Sequence, residues 1–223
     1  MALSRVEAAA ELAPLEPLTE ATLAVAVAEL AGRDADIAAI VGRYGPPPLW
    51  DRVPGFATLL HIVLEQQVSL ASARAAFDRL VAATDPLTPA AFLALSDEQL
   101  LAIGFSRQKA RYGRAIAAAV EDGALDLDGL GDRPDEDVVA ALEALPGVGP
   151  WTSSIYLLMV LGRPDVWPVA DVALAESIRA VKSLEHRPDP DEMTQLAEPW
   201  RPWRSVAARL LWHDYLARRG RTG

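Results

Sequence analysis

The chain contains no cysteine, so it has no disulfide, no zinc–thiolate site and no iron–sulfur cluster. It lacks any apolar run of membrane-spanning length, and its first residues lack the basic, apolar, small-residue layout of a secretory signal. A soluble cytoplasmic protein with no membrane partner is therefore expected. No alternating run of Val, Ile and Thr is long enough to suggest a substantial sheet. Internal repeats and low-complexity linkers are also missing. What is present is enough apolar material, 51% of 223 residues, to bury a full core in one or two domains.

Charge of one sign is in short supply too. The formal net charge is −10, which, taken as a sum, argues against a nucleic-acid partner, because neutralising phosphates dominates that affinity. The distribution tempers the sum. Acidic residues concentrate at 7–36, 121–143 and 185–198. Arg107, Lys109, Arg111 and Arg114 form one basic cluster, and Arg201, Arg204, Arg209, Arg218, Arg219 and Arg221 form another. A grip made by backbone amides needs fewer side-chain cations than a basic groove.

Periodicity and punctuation give helices throughout. After an Ala/Glu/Pro-rich frayed helix or tail over 1–17, helices are expected at 19–30 and 34–41, separated by Gly32. Gly45-Pro46-Pro47-Pro48 then forces an extended segment. Helices resume at 56–67 and 69–81, and Thr88 and Ser96 read as N-caps of short helices. A longer helix follows at 107–120, then a loop or short turn at 126–134, helices at 172–182 and 191–196, and a final one at 204–218.

The informative stretch is Leu145-Pro146-Gly147-Val148-Gly149-Pro150-Trp151-Thr152. Apolar residues at helical spacing precede it from Asp137, and another apolar helix candidate runs over 151–161. The Pro-Gly-x-Gly-Pro break between them is short enough only for a tight turn. Its glycines permit unusual backbone conformations and close approach of a partner. The amides of Gly147, Gly149, Trp151 and Thr152 open the second helix without carbonyl partners, an arrangement that suits a phosphate. An ordinary helical hairpin whose glycines only make the turn fits the same letters. Further on, Trp167-Pro168-Val169-Ala170-Asp171 leads into a new helix, and Asp171 reads as its N-cap. A carboxylate held that way is also rigid and ionised.

Hairpin, apolar helix, Pro-containing loop and an aspartate 20 residues after Trp151 together resemble the helix-hairpin-helix DNA glycosylase superfamily, in its 3-methyladenine DNA glycosylase II branch. Glu65-Gln66-Gln67-Val68-Ser69, Gly104-Phe105-Ser106-Arg107-Gln108-Lys109-Ala110 and Trp200-Arg201-Pro202-Trp203-Arg204-Ser205-Val206-Ala207 match in family order. The resemblance implies an all-α fold of two helical lobes with a cleft between them. Residues 1–50 plus 164–223 would form one lobe, and 51–163, ending in the hairpin at about 138–161, the other. The β-rich N-terminal domain of longer members is not expected, and the lack of cysteine sets the chain apart from the cluster-bearing endonuclease III-like relatives.

The resemblance also assigns roles. Asp171 would be catalytic, stabilising the positive charge that develops on the sugar as an N-glycosidic bond breaks and orienting the attacking water. Trp151 stands where bifunctional members carry the Schiff-base lysine, so no strand-cutting lyase activity is expected; Lys109 and Lys182 lie in unrelated motifs. Trp151 and Trp212 would be aromatic faces for a cationic alkylated base, with ordinary core packing as the competing reading for each. Tyr156 is a further pocket candidate, although the family's pocket tyrosine aligns with Ile155. Trp50 and His61 could also line the cleft, with core or supporting packing the favoured reading of each. Gln67 would be the wedge filling the gap left by the flipped base, and Gly147, Gly149 and Thr152 would contact the DNA backbone. Main-chain carbonyls of Glu143, Leu145 and Val148 would hold a sodium or potassium ion, and no other cofactor is expected. The implied partner is double-stranded DNA containing alkylated bases, bound by a monomer. A glycosylase for a neutral damaged or mispaired base, and a non-catalytic DNA-binding hairpin protein, are the alternatives.

Overall fold

The computed structural model describes residues 16–220; most of the frayed helix or tail expected over 1–17, and Arg221 with it, lies outside them. Helices α1 (Glu20–Arg33) and α2 (Ala35–Tyr44) open the fold. They are followed by α3 (Phe56–Glu65), α4 (Leu70–Thr84), α5 (Pro89–Leu93), α6 (Asp97–Ile103) and α7 (Arg107–Glu121). The hairpin pair is α8 (Asp135–Glu143) and α9 (Pro150–Ile155), with a short 3-10 turn at Asp128–Asp132 before it. Helices α10 (Val172–Val181), α11 (Pro190–Ala197) and α12 (Arg204–Arg218) complete the chain, and no strand occurs among the described residues. The fold is all-α, as expected.

Capping residues account for most of the starts. Thr88 and Ser96 accept the Ala91 and Gln99 amides, as their sequence positions foretold, and Ser96 with Gln99 closes a capping box. Gly104 ends α6 in the left-handed conformation. Asp34 both caps α2 and accepts the Trp200 indole N–H at 2.8 Å, which ties the first helices to the chain's last quarter.

Helix α12 is buried on almost every side, Ser205 to Trp212 without a break, and packs against α1, α2 and α10. Helix α3 packs against α4, α7 and α9, while α5 and α6 lie on α7 and α8 lies on α9. The buried apolar residues of both groups form one continuous cluster.

The helix expected over 151–161 changes type. After α9 it becomes a π-helical turn, Tyr156–Val160, closed by the Leu161 amide on the Tyr156 carbonyl at 3.1 Å. Tertiary bonds hold the wide turn. Arg209 Nη2 donates to the Leu158 carbonyl at 2.8 Å, and the Arg52 amide donates to the Met159 carbonyl at 2.8 Å.

Candidate active site

Asp171 caps α10 and accepts the Leu174 amide through Oδ1 at 2.9 Å. The residue before it, Ala170, is held at φ 64, a left-handed conformation costing a non-glycine residue about 1–2 kcal/mol. That strain turns the chain so that the carboxylate faces inward, and Asp171 is 8% exposed. Two indoles meet it there. Trp151, in the first turn of α9, donates its Nε1–H to Oδ2 at 2.8 Å, and Trp212 of α12 donates to Oδ1 at 3.2 Å. Trp151 is half-buried and Trp212 buried. The hairpin, the start of α10 and the final helix therefore converge on one carboxylate.

The hairpin turn is built from two glycines with different reasons to be glycine. Gly147 sits at φ 85, and a Cβ there would lie 2.2 Å from the Tyr112 ring. Gly149 is extended (φ −120, ψ −177), and a Cβ there would meet nothing within 4 Å. The first is required by the fold; the second is not, and faces open space. The Thr152 hydroxyl is buried and accepts a 2.8 Å bond from Gln66 Nε2, which also donates to the Gly147 carbonyl at 2.8 Å. In the same turn, Ser153 Oγ donates to the Glu143 carboxylate at 2.6 Å.

The segment between α3 and α4 is thus fastened to the hairpin. Lys109 fastens it from the other side, its Nζ donating to the carbonyls of Leu64 at 2.6 Å and Gln66 at 2.8 Å. Burial holds the Lys109 pKa below the usual lysine range. Between these anchors Gln67 stands exposed at φ 57, a second strained non-glycine residue at a position singled out from sequence.

Other candidates are placed elsewhere. Tyr156 is wholly buried, its hydroxyl without a well-formed partner, and burial pushes its pKa up to about 12. Its ring is core, packed in the π-helical turn, and shows no surface to a base. His61 stacks on Phe77 at 4.2 Å, with its pKa lowered by burial, and Trp50 lies against His213. A hollow of about 160 Å³ between α2, α10 and α12 is lined by none of the candidate residues.

Sequence reasoning missed the supports. Gln66, Lys109 and Tyr112 lie in or beside motifs it had marked, yet only tertiary contact reveals what they hold. It also overvalued the basic clusters. Arg114 is taken up by Asp97 and the Leu93 and Leu95 carbonyls, and Arg201 and Arg204 by Asp165 and Glu198. Arg209 donates to three carbonyls, and burial pushes its pKa down to about 10. Arg218 pairs with Asp214. Arg107 and Arg111 remain exposed on α7, without an ion-pair partner among the described residues.

Comparison with known proteins places this arrangement. The chain is 28% identical over 186 residues to a putative DNA-3-methyladenine glycosylase of Bacillus subtilis, across 80% of this chain and 65% of that protein. It is 34% identical over 199 residues to a probable bifunctional transcriptional activator and DNA repair enzyme of Mycobacterium tuberculosis, across 84% of this chain and 39% of that one. The chain thus spans less than two thirds of the length of either. Among solved structures, the 3-methyladenine DNA glycosylase of Schizosaccharomyces pombe in complex with abasic DNA superimposes with a TM-score of 0.79 at 26% identity, covering 84% of this chain and 95% of that one. The family model for HhH-GPD superfamily base excision DNA repair proteins matches residues 60–202, well over half the chain, and the protein belongs to that superfamily.

Proposed function

We propose that the protein is a monofunctional DNA glycosylase that hydrolyses the N-glycosidic bond of alkylated bases of the 3-methyladenine and 7-methylguanine type. The observation that carries this reading is the contact between hairpin and carboxylate, in which Trp151 opens the second hairpin helix and donates to Asp171. A strand held at the Gly147–Thr152 turn would lie beside the Asp171 carboxylate, within reach of a sugar.

Alkylation at N3 or N7 makes the purine cationic, so the base leaves as a neutral molecule and needs no general acid. The C1′–N bond breaks with its electron pair going to the base nitrogen. The carboxylate of Asp171 stabilises the oxocarbenium-like sugar electrostatically and orients the water whose oxygen attacks C1′. That water loses its proton to the carboxylate or to solvent. No amine occupies position 151, so no Schiff base forms and the strand stays intact. The abasic DNA bound by the S. pombe relative is the product such a step would leave.

Gln67 fits the wedge in this reading because it is exposed at the tip of a turn anchored from both sides. Gly149 fits close passage of a phosphate because its missing side chain opens onto free space. Trp151 and Trp212 border the base pocket; Tyr156 drops out of it. Residues 1–50 with 164–223 as one lobe, and 51–163 as the other, agree with the packing of α12 on α1, α2 and α10 and of α3 on α4, α7 and α9. Among the described residues no cluster of His, Asp and Glu side chains is arranged to hold a metal ion. A sodium or potassium ion would instead use the carbonyls of Glu143, Leu145 and Val148; the Leu145 oxygen takes the Val148 amide at 3.1 Å and keeps a second lone pair. It would add positive charge beside the phosphate. We take the protein to act in the cytoplasm as a monomer on one duplex; no helix among the described residues is long and apolar enough to cross a membrane.

Base release from methylated duplex, compared with duplexes carrying uracil or 8-oxoguanine, tests the reading. Release of methylpurines, with strand scission only after hot alkali, is expected. Release of the neutral bases alone, or unchanged behaviour of Asp171→Asn, would overturn it.

A further inference from the structure

We infer that Trp151 and Trp212 act on the reaction through their indole N–H groups, as positioning residues for Asp171, and that the open acceptor site for sugar or water is on Oδ2. This rests on the glycosylase reading and deepens it, because the sequence alone casts both residues only as flat walls.

The donors are arranged by oxygen. Oδ1 receives the Leu174 amide at 2.9 Å and the Trp212 indole at 3.2 Å, which fills both its lone-pair directions. Oδ2 receives only Trp151, at 2.8 Å, among the described residues. Of four acceptor directions, one on Oδ2 is left for the reaction. Three donors from three different elements also fix the plane of the carboxylate.

The chemical type of the donors matters as much as their number. Asp171 is nearly buried, yet no lysine, arginine or histidine pairs with it among the described residues. A cation in that place would hold the carboxylate equally well and cancel its charge as seen from the sugar. Neutral N–H dipoles hold the carboxylate in place without cancelling its charge, so that charge can face the developing positive one. Trp200 and Trp203 donate to Asp34 and Glu29 at 2.8 Å in the same way, where the effect is only to join helices. A buried indole N–H seeks an acceptor in any case, so the experiment must separate donor from ring.

Trp151→Phe does so, because it keeps an aromatic face and removes the N–H. Single-turnover release of 7-methylguanine should fall about 10- to 100-fold, less than is lost when a donor touching the transition state is removed. Affinity for an abasic-site duplex should stay within about twofold, a change of under half a kcal/mol. Site-specific benzothienylalanine at 151, which replaces the N–H by sulfur in a ring of the same size, should reproduce the loss. In an Asp171→Asn background, Trp151→Phe should cost little more, because the charge that the indole positions is already gone. A Trp151→Phe enzyme at full rate, a loss matched by a fall in DNA affinity, or an equal loss in both backgrounds would each overturn the inference. Absence of methylpurine release by the unmodified protein would instead defeat the glycosylase reading itself. Trp212→Phe, at a more buried position, is checked first by thermal melting and then by the same rates.

Discussion

The two hairpin glycines make a paired prediction in which stability and DNA binding come apart. Gly147→Ala places a methyl group in a left-handed conformation, at about 1–2 kcal/mol. It also drives that methyl into the body of the Tyr112 ring, 2.2 Å from both Cγ and Cδ2, an overpacking worth about 1–3 kcal/mol. The ring has little freedom to retreat, since its hydroxyl is tied to Gln108 and its helix to the α3–α4 turn through Lys109. A total near 3 kcal/mol corresponds to a fall in Tm of about 6–12 °C for a chain of this size. Gly149→Ala meets none of this: its backbone is extended, the space is open, and removing a glycine from the unfolded ensemble stabilises by about 0.4–1 kcal/mol. Its Tm should therefore hold or rise, while affinity for a duplex with an abasic site drops at least about tenfold, or 1.4 kcal/mol, because the methyl stands where a phosphate would pass. Thermal melting and fluorescence anisotropy measure the two effects separately. If Gly149→Ala is as destabilising as Gly147→Ala, or binds DNA like the unmodified protein, the division of labour argued for this turn is wrong.

Other perturbations test the supports and the electrostatics. Gln66→Leu removes the bonds to the Gly147 carbonyl and the Thr152 hydroxyl, and at about 1 kcal/mol each should lower Tm by several degrees and weaken DNA binding by anisotropy. Burial lowers the His61 pKa below 6.5, so at pH below 6.5 the unfolded chain takes up a proton that the folded chain refuses, and stability falls on acidification. His61→Phe, which keeps the stack on Phe77, should show a smaller drop between pH 7.5 and 5.5 in urea unfolding; an identical drop would refute that origin. Because most cations near the site are bound internally, the slope of log affinity against log salt should be shallow, of magnitude about 3 or less, when measured on undamaged duplex.

Where local chemistry decided the structure, the sequence was readable. Thr88, Ser96 and Asp171 cap helices because a short acceptor side chain before an apolar run has few better options, and the Gly-Pro break can only be a turn. The carboxylate and the hairpin were found by such signals, with the family pattern adding their roles. The π-helical turn was not legible, because it depends on Arg209 and Arg52 reaching its carbonyls from distant parts of the chain. Tyr156 was not legible as core either, because its burial is set by tertiary packing that an aromatic letter beside Ile155 does not reveal. The direction of the indole N–H groups is a matter of rotamer and tertiary approach, so composition and spacing reveal an aromatic residue but not which edge it presents.

On the glycosylase reading, the cost of a net charge of −10 looks different once the cations are located. Arg114, Arg201, Arg204, Arg209 and Lys109 are bound to carboxylates and carbonyls, so the positive side chains are engaged in holding helices together. On that reading, what remains for the strand is the set of backbone N–H groups at the hairpin with the exposed Arg107 and Arg111, and what holds the carboxylate is a pair of indoles and one amide. In both places the protein would rely on dipoles more than on ions. That choice has a consequence for selectivity. On the glycosylase reading, a dipole-lined site would give weak, short-ranged attraction to undamaged DNA, while the charge of Asp171 would act on the single positive charge that passes from the alkylated base to the sugar as the bond breaks. On that reading, loose general binding and a strong response to alkylated sites would follow from the same arrangement of neutral donors.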